Sequence, residues 1–184
     1  MRPLTEEETK ALFSKLANYL GRSIQKLIAP VDANSERHVF RLHHSRCYFV
    51  RLSLEKLATS ISRDRLLSLG TCIGKFTKST KFRLHITALP ILAQHASHKI
   101  WVKANGEMPF LYGGHILKAH IGRWSEDCTE HQGVVVYNLQ DIPLGFGITA
   151  RSTAEARRLE PTSVAAFRQA DCGEYLRDED TLFV

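Results

Sequence analysis

Long apolar runs are missing from this chain: nowhere in its 184 residues does one approach the roughly 18 to 20 residues that a membrane-spanning helix needs. The opening Met1-Arg2-Pro3-Leu4-Thr5-Glu6-Glu7-Glu8 lacks the basic and then apolar profile of a secretory signal, so the protein is expected inside the cell and away from membranes. Cysteine is scarce as well. Cys47, Cys72, Cys128 and Cys172 stand far apart with no Cys-x-x-Cys pair, and they read as reduced thiols rather than a disulfide framework. No self-similar period of about 20 to 50 residues occurs, which excludes solenoids and propellers. What remains is ordinary globular material, 43% hydrophobic and 24% charged, enough to bury a core in one full domain or two lean ones.

Acidic residues are scarce in one half only. Residues 1–92 carry 16 Lys and Arg against 7 Asp and Glu, a net of +9, whereas residues 93–184 carry 9 against 12, a net of −3. Much of the acidity of the back half lies in the tail, where Glu174, Asp178, Glu179 and Asp180 oppose Arg177. A one-sided basic excess draws polyanions through a long-range, salt-sensitive field, and nucleic acid is the usual intracellular polyanion. The densest basic stretch runs from Arg63 to Arg83, where Arg63, Arg65, Lys75, Lys78, Lys81 and Arg83 face only Asp64, with Phe76 and Phe82 interleaved. Cations for phosphates and a ring for a base would make a platform for single-stranded RNA. The plainer reading is a hairpin with both phenylalanines in the core and its lysines in water.

Thr5-Glu6-Glu7-Glu8 is a capping box, and Leu12, Phe13, Leu16, Tyr19 and Leu20 recur at helical spacing before Gly21, which predicts a first helix ending there. After a turn from Pro30 to Glu36, Val39 to His43 and Cys47 to Leu52 read as a hairpin and Leu54 to Ile61 as a second helix. Leu66 to Leu69, Ile73 to Thr77 and Phe82 to Ala88 read as short strands, the last with Phe82, Leu84 and Ile86 alternating against Arg83, His85 and Thr87. Pro90 and the polar Gln94 to His98 mark a boundary. Beyond it come short strands over Ile100 to Lys103, His115 to Ile121, Gly133 to Tyr137, Leu144 to Thr149 and Val164 to Phe167, with about one helix, Thr153 to Leu159. Gly106, Gly113, Gly114, Gly122, Gly133, Gly145, Gly147 and Gly173 are expected at or near turns, as the corners of a small barrel require. The fold class is therefore α+β, an antiparallel sheet with flanking helices followed by a β barrel.

Catalytic chemistry finds few candidates. Gly70-Thr71-Cys72-Ile73-Gly74-Lys75 is one residue short of a phosphate-binding loop, and Phe76 stands where a Ser or Thr would hold magnesium. Gly145-Phe146-Gly147 lacks the third glycine of a dinucleotide site, and neither a Gly-x-Ser-x-Gly elbow nor a His-Glu-x-x-His pair occurs. His95 with His98 and Cys128 with His131 give half-sites short of the four paired ligands of a structural zinc, so no metal or cofactor is expected. His43, His44 and His85, close to arginines in the basic half, are further candidates for phosphate contact.

Ser68-Leu69-Gly70-Thr71-Cys72, then Gly74-Lys75-Phe76-Thr77-Lys78 and Lys81-Phe82-Arg83-Leu84-His85-Ile86-Thr87-Ala88-Leu89, resemble the signature of the Nip-seven ("nuclear import protein seven") family. The opening Met1 to Thr9, Phe40 to His43, Gln132 to Tyr137, Asp141 to Gly147, Gln169 to Asp171 and Gly173 to Tyr175 resemble it too, in order along the whole chain. The resemblance implies an N-terminal α/β domain particular to the family over residues 1–92, a PUA pseudo-barrel over 95–177 and a tail over 178–184. It implies a non-enzymatic, RNA-binding assembly factor of the large (60S) ribosomal subunit, required for pre-rRNA processing in the nucleus and nucleolus, with some presence in the cytoplasm. Its implied partners are pre-ribosomal RNA, other pre-60S assembly factors and subunits of the RNA-degrading exosome, the protein itself being a monomer within a larger particle. Gly114-His115-Ile116-Leu117-Lys118 with Ile121-Gly122-Arg123, and Pro143 to Gly147, resemble the PUA pattern, and carry-over by position implies RNA contacts at Lys118, Arg123, Arg151, Arg157, Arg158 and Arg168. The charge count adds Lys75, Lys78, Lys81 and Arg83 in the front half. Two other readings stand beside this one: a protein-interaction scaffold whose RNA contact is incidental, with the acidic tail as one contact, and an RNA-modifying enzyme.

Overall fold

The computed structural model describes residues 1–28, 36–62 and 64–182, and the chain divides into two compact units. Unit 1 comprises residues 1–17 and 22–88, and unit 2 comprises 18–21 and 89–184. The expected turn from Pro30 to Glu36, Arg63, and Phe183-Val184 at the end of the tail fall wholly or mainly outside the described residues.

Helix α1 (Glu6–Leu20) starts at the predicted capping box. The Glu8 N–H donates to the Thr5 hydroxyl at 3.3 Å and the Thr5 N–H donates to the Glu8 carboxylate at 2.9 Å, so two otherwise orphaned donors are satisfied at once. Leu12, Leu16, Tyr19 and Leu20 are buried on one face, and Gly21, at φ +52°, ends the helix in the left-handed region that glycine tolerates. A short helix α2 (Ile24–Ile28) follows. Strands β1 (His38–His43) and β2 (Arg46–Arg51) pair antiparallel around the turn residues His44 and Ser45, both at positive φ. Helix α3 (Leu52–Ala58) continues from β2 and is tied back to β1 by the Arg41–Glu55 ion pair at 2.8 Å. Strands β3 (Thr71–Phe76) and β4 (Phe82–Leu84) complete an all-antiparallel sheet in the order β1-β2-β3-β4.

Several elements of this unit depart from the sequence expectation, which does not include α2. Leu66 to Leu69 is not a strand: Leu67 lies in water, so the apolar run has no face to bury, and the segment is held irregular with the Leu66 carbonyl accepting from the His43 ring at 2.7 Å. The last strand stops at Leu84. His85 is buried along with Ile86, which breaks the period of two, and the chain turns through a 3-10 segment Ile86–Ala88 anchored by the Thr87 hydroxyl on the Cys72 carbonyl. The second helix begins two residues earlier than expected.

Unit 2 opens with α4 (Leu89–His95), and Pro90 takes its second position, where a missing N–H costs no helical bond, instead of breaking the chain there. Strand β5 (Lys99–Val102) leads into α5 (Ala104–Leu111), a helix that the sequence reading missed because Gly106 and Pro109 look like breakers. Gly106 is required by packing: a Cβ there would lie 2.6 Å from the Cβ of His120. The strands then run β6 (Ile116–Leu117), β7 (Ile121–Trp124), β8 (Gly133–Asn138), β9 (Pro143–Thr149) and β10 (Val164–Asp171), with α6 (Thr153–Ala156) between the last two and α7 (Glu174–Arg177) and α8 (Glu179–Leu182) at the end. The expected strand from His115 to Ile121 is thus split by a 3-10 turn, Lys118–His120. The expectation of about one helix in this half is corrected to several short ones, and the acidic tail is helical with Leu182 buried.

Sheet order is β6-β10-β9-β8-β5-β7, with only β5 and β8 parallel. The two edge strands β6 and β7 are neighbours in sequence, joined by that single 3-10 turn, so the sheet has to curl into a nearly closed barrel. Ile100, Val102, Phe110, Ile116, Val134, Val136, Leu144 and Ala166 fill it. Gly145 and Gly147 sit inside β9 rather than at its turns, because a Cβ at either would collide with the backbone of β10.

Candidate nucleic-acid interface

In unit 1, strand pairing assembles the cations. Arg46 of β2 stands opposite Lys75 of β3, which stands opposite Arg83 of β4, so three bases cross three strands on one face. Lys78 and Lys81 lie in the β3–β4 turn, closed by N–H donation from Thr77 to the Lys81 carbonyl and from Thr80 to the Thr77 carbonyl, both at 2.9 Å. Lys75, Lys78, Lys81 and Arg83 are all exposed, and among the described residues none is ion-paired to an acid. Arg46, half-buried, was not singled out from sequence, because only the register places it beside Lys75. Beneath this row His85 is buried, and its ring pKa is pushed down to about 4 by burial first and then by Arg46 and Lys75. His43 is buried too, so of the three candidate histidines only His44, exposed at the β1–β2 turn, can meet a phosphate directly.

The two phenylalanines divide. Phe82 is buried, as the plainer reading holds, while Phe76 is half-buried, with its ring centroid 4.9 Å from that of Phe82. Phe76 also lines a cleft of about 720 Å³.

In unit 2 the cations are largely engaged. Arg151 pairs with Glu130 at 3.1 Å and Arg157 approaches Glu126 at 3.8 Å, so the acidic loop between β7 and β8 lies against the segment around α6. The Lys118 ammonium donates to the Ala156 carbonyl at the end of α6, which brings Lys118, Arg157 and Arg158 to one neighbourhood. Arg158 is exposed. Arg123 of β7 lies 3.7 Å from the centroid of the Trp101 ring and 3.7 Å from Asp141, whose carboxylate also accepts from the Trp101 indole at 2.6 Å. Arg168 turns to the acids of its own strand end: it pairs with Asp171, which is fully buried, and with Glu174. Arg177 donates to both oxygens of Asp171 at 2.9 Å, and the Gly173 N–H donates to one of them at 2.8 Å. Burial pushes the Glu174 carboxyl above its usual range and Arg168 pulls against that shift. This knot ties α7 to the barrel.

For metal chemistry, no group of three or more His, Cys, Asp or Glu side chains converges among the described residues. Cys128 is buried with its thiol directed at the Ser125 carbonyl, and burial pushes that thiol up.

Two family models divide the sequence between them: the pre-PUA domain of NIP7/UPF0113 matches residues 1–86, and the UPF0113 PUA domain matches residues 98–180. The chain belongs to the NIP7/UPF0113 family. A protein of Schizosaccharomyces pombe named 60S ribosome subunit biogenesis protein is 63% identical over 183 residues, covering 100% of both chains. Its Saccharomyces cerevisiae namesake is 61% identical over 183 residues, covering 100% of this chain and 99% of its own. Among solved structures, a hypothetical protein of Pyrococcus horikoshii has a TM-score of 0.60 at 14% identity, covering 97% of this chain and 98% of its own. A PUA-domain protein of Aeropyrum pernix has a TM-score of 0.57 at 15% identity, covering 95% and 87%. At such identities these two likenesses speak for the fold alone. The NIP7/UPF0113 fold is thus a pre-PUA α/β domain followed by a PUA domain, as the resemblance implied.

Proposed function

We propose that the protein is a non-enzymatic RNA-binding assembly factor of the large ribosomal subunit, acting in pre-rRNA processing within pre-ribosomal particles of the nucleus and nucleolus. Identity of 61 to 63% along the whole chain to proteins named for 60S biogenesis carries this reading. The exposed row Lys75, Lys78, Lys81 and Arg83 supplies a sequence-tolerant grip on RNA phosphates. A second, weaker contact runs over Lys118, Arg151, Arg157 and Arg158 of the PUA domain, where Glu126 and Glu130 offset much of the charge. Arg123 and Arg168 serve the fold: one stacks on Trp101, the other clamps Asp171. Specificity then comes from RNA shape and from the other assembly factors and exosome subunits already on the particle.

Replacement of the Saccharomyces cerevisiae relative by this chain tests the reading. Growth, normal 60S levels and normal pre-rRNA intermediates are expected, with a 60S deficit when Lys75, Lys78 and Lys81 are all changed to Glu. Full function of the triple variant, with no RNA recovered after cross-linking, would instead favour a scaffold. That second reading draws on the exposed Leu139 and Ile142 in the turn that also carries Asp141, next to the Arg123–Trp101 stack, since apolar and Arg–aromatic surfaces are what protein interfaces use.

A further inference from the structure

A cleft of unit 1 opens where the two turns of its sheet meet. Its wall includes His44 from the β1–β2 turn, Phe76 and Lys78 from β3 and the turn after it, and Ile61 beyond α3. At about 720 Å³ it falls within the roughly 300 to 1,000 Å³ of sites that hold small ligands, a range that includes one nucleotide.

Its electrostatics select the sign of the occupant. Glu8 is the one acid among the described lining residues, and Arg2 neutralises it with two hydrogen bonds, at 2.8 and 2.6 Å, holding its carboxyl below the usual range. Thr5 adds an N–H at 2.9 Å. Lys78 has no such partner among the described residues and is exposed at the same wall, and the Lys81 and Arg83 cations continue along the hairpin. The cleft therefore joins a positive rim to an aromatic ring that is only half covered: Phe76 rests on Phe82 and lines the cavity as well. Stacking on such a ring requires an unpaired base, since paired bases are already stacked within their duplex.

We infer that this cleft holds one unpaired nucleotide of a single-stranded RNA, its base against Phe76 and its phosphate against Lys78. The inference rests on the RNA-binding reading above and adds to it a seat for a base, which a bare row of cations does not provide. The nucleotides that follow pass around the β3–β4 turn at Lys81 to the opposite face of the sheet, where Arg83 stands.

The test uses the full-length protein and uridine octamers carrying one photoreactive 5-iodouridine, cross-linked and mapped by mass spectrometry, with anisotropy titrations alongside. An adduct on Phe76 or His44 is expected. Phe76→Leu keeps an apolar contact with Phe82 and should weaken binding roughly tenfold, as loss of one base stack does. Lys78→Glu lies in an exposed turn, leaves folding intact and should weaken binding independently, so the site remains testable even where Phe76→Leu impairs folding. RNA that binds with adducts confined to residues 99–182, and with both variants within twofold of the parent, overturns the cleft and leaves the RNA reading standing. Absence of RNA binding by the parent protein overturns both.

Discussion

Lys75 stands directly across the β3–β4 hairpin from Arg83, cation facing cation. Like charges at such positions repel, and cross-strand pairs of this kind are worth roughly 0.2 to 1 kcal/mol. Lys75→Glu turns the repulsion into attraction, so urea unfolding should show a gain of up to about 1 kcal/mol while RNA affinity falls modestly. The opposite signs separate a binding residue from a packing residue; loss of both stability and affinity would assign Lys75 to packing. For the parent protein, four cations on single-stranded RNA give a slope of about −3 in log affinity against log salt, and the triple change of Lys75, Lys78 and Lys81 to Glu should nearly abolish binding.

His85 makes stability depend on pH. Its folded pKa of about 4 lies below the ordinary 6.5, so between those values the unfolded chain binds a proton that the folded one excludes. The stability this contributes is fully present above pH 6.5 and is lost as the pH falls through the window toward about 4. Urea unfolding at pH 7, 6 and 5 should trace the decline, and His85→Gln should flatten it. Phosphate bound at Lys75 offsets one cause of the depression, so the His85 ring resonances should titrate at higher pH with RNA present. An unmoved titration puts the RNA elsewhere.

Removing one partner from the Asp171 knot strands a buried charge. Asp171→Asn leaves Arg168 and Arg177 facing each other across a neutral amide, and Arg168→Gln leaves Asp171 short of a partner. Asp171→Asn should cost about 3 to 5 kcal/mol in thermal or chemical unfolding, the usual scale for breaking a buried pair, and Arg168→Gln less, because Arg177 and the Gly173 N–H still hold the Asp171 carboxylate. Because Arg168 serves the barrel, its replacement should leave the salt slope of RNA binding unchanged at temperatures where the protein stays folded. A shallower slope would restore Arg168 as a phosphate ligand.

The acidic loop offers a gain of function. Glu126→Gln with Glu130→Gln releases Arg157 and Arg151, and each phosphate contact so gained should steepen the salt slope by about 0.7. Affinity for single-stranded RNA should rise in anisotropy titrations at constant salt. Unchanged binding would mean that the PUA face does not carry RNA.

Local signals were legible in the sequence wherever one stretch of chain decides the outcome. Thr5 and Glu8 bond within four residues, so the start of α1 could be read directly, and the alternation around Phe82 located a strand. The signals failed where distant packing decides. Gly106 and Pro109 look like breakers until His120 and the barrel hold α5 helical around them. The basic segment from Lys75 to Arg83 was visible as composition, but Arg46 joins it only through strand register. Carry-over by position from the PUA pattern placed Arg168 among the RNA contacts, because the sequence does not show that Asp171 is buried against it.

Tyr19 and Leu20, the end of the first helix, count with the second unit. The Tyr19 ring meets Phe146 edge-on at 5.5 Å, and its own atoms lie 2.8 Å from where a Cβ on Gly133 would be. Asn18 donates to the His131 carbonyl across 113 residues of chain. During synthesis these residues leave the ribosome long before their partners exist, so the barrel forms late, against a helix end made early that packs on Phe146 and Gly133. Severing the chain near residue 92 would separate that helix end from the barrel strands it packs on, and a mutation as remote as Tyr19→Ala would be felt as a defect of the second unit.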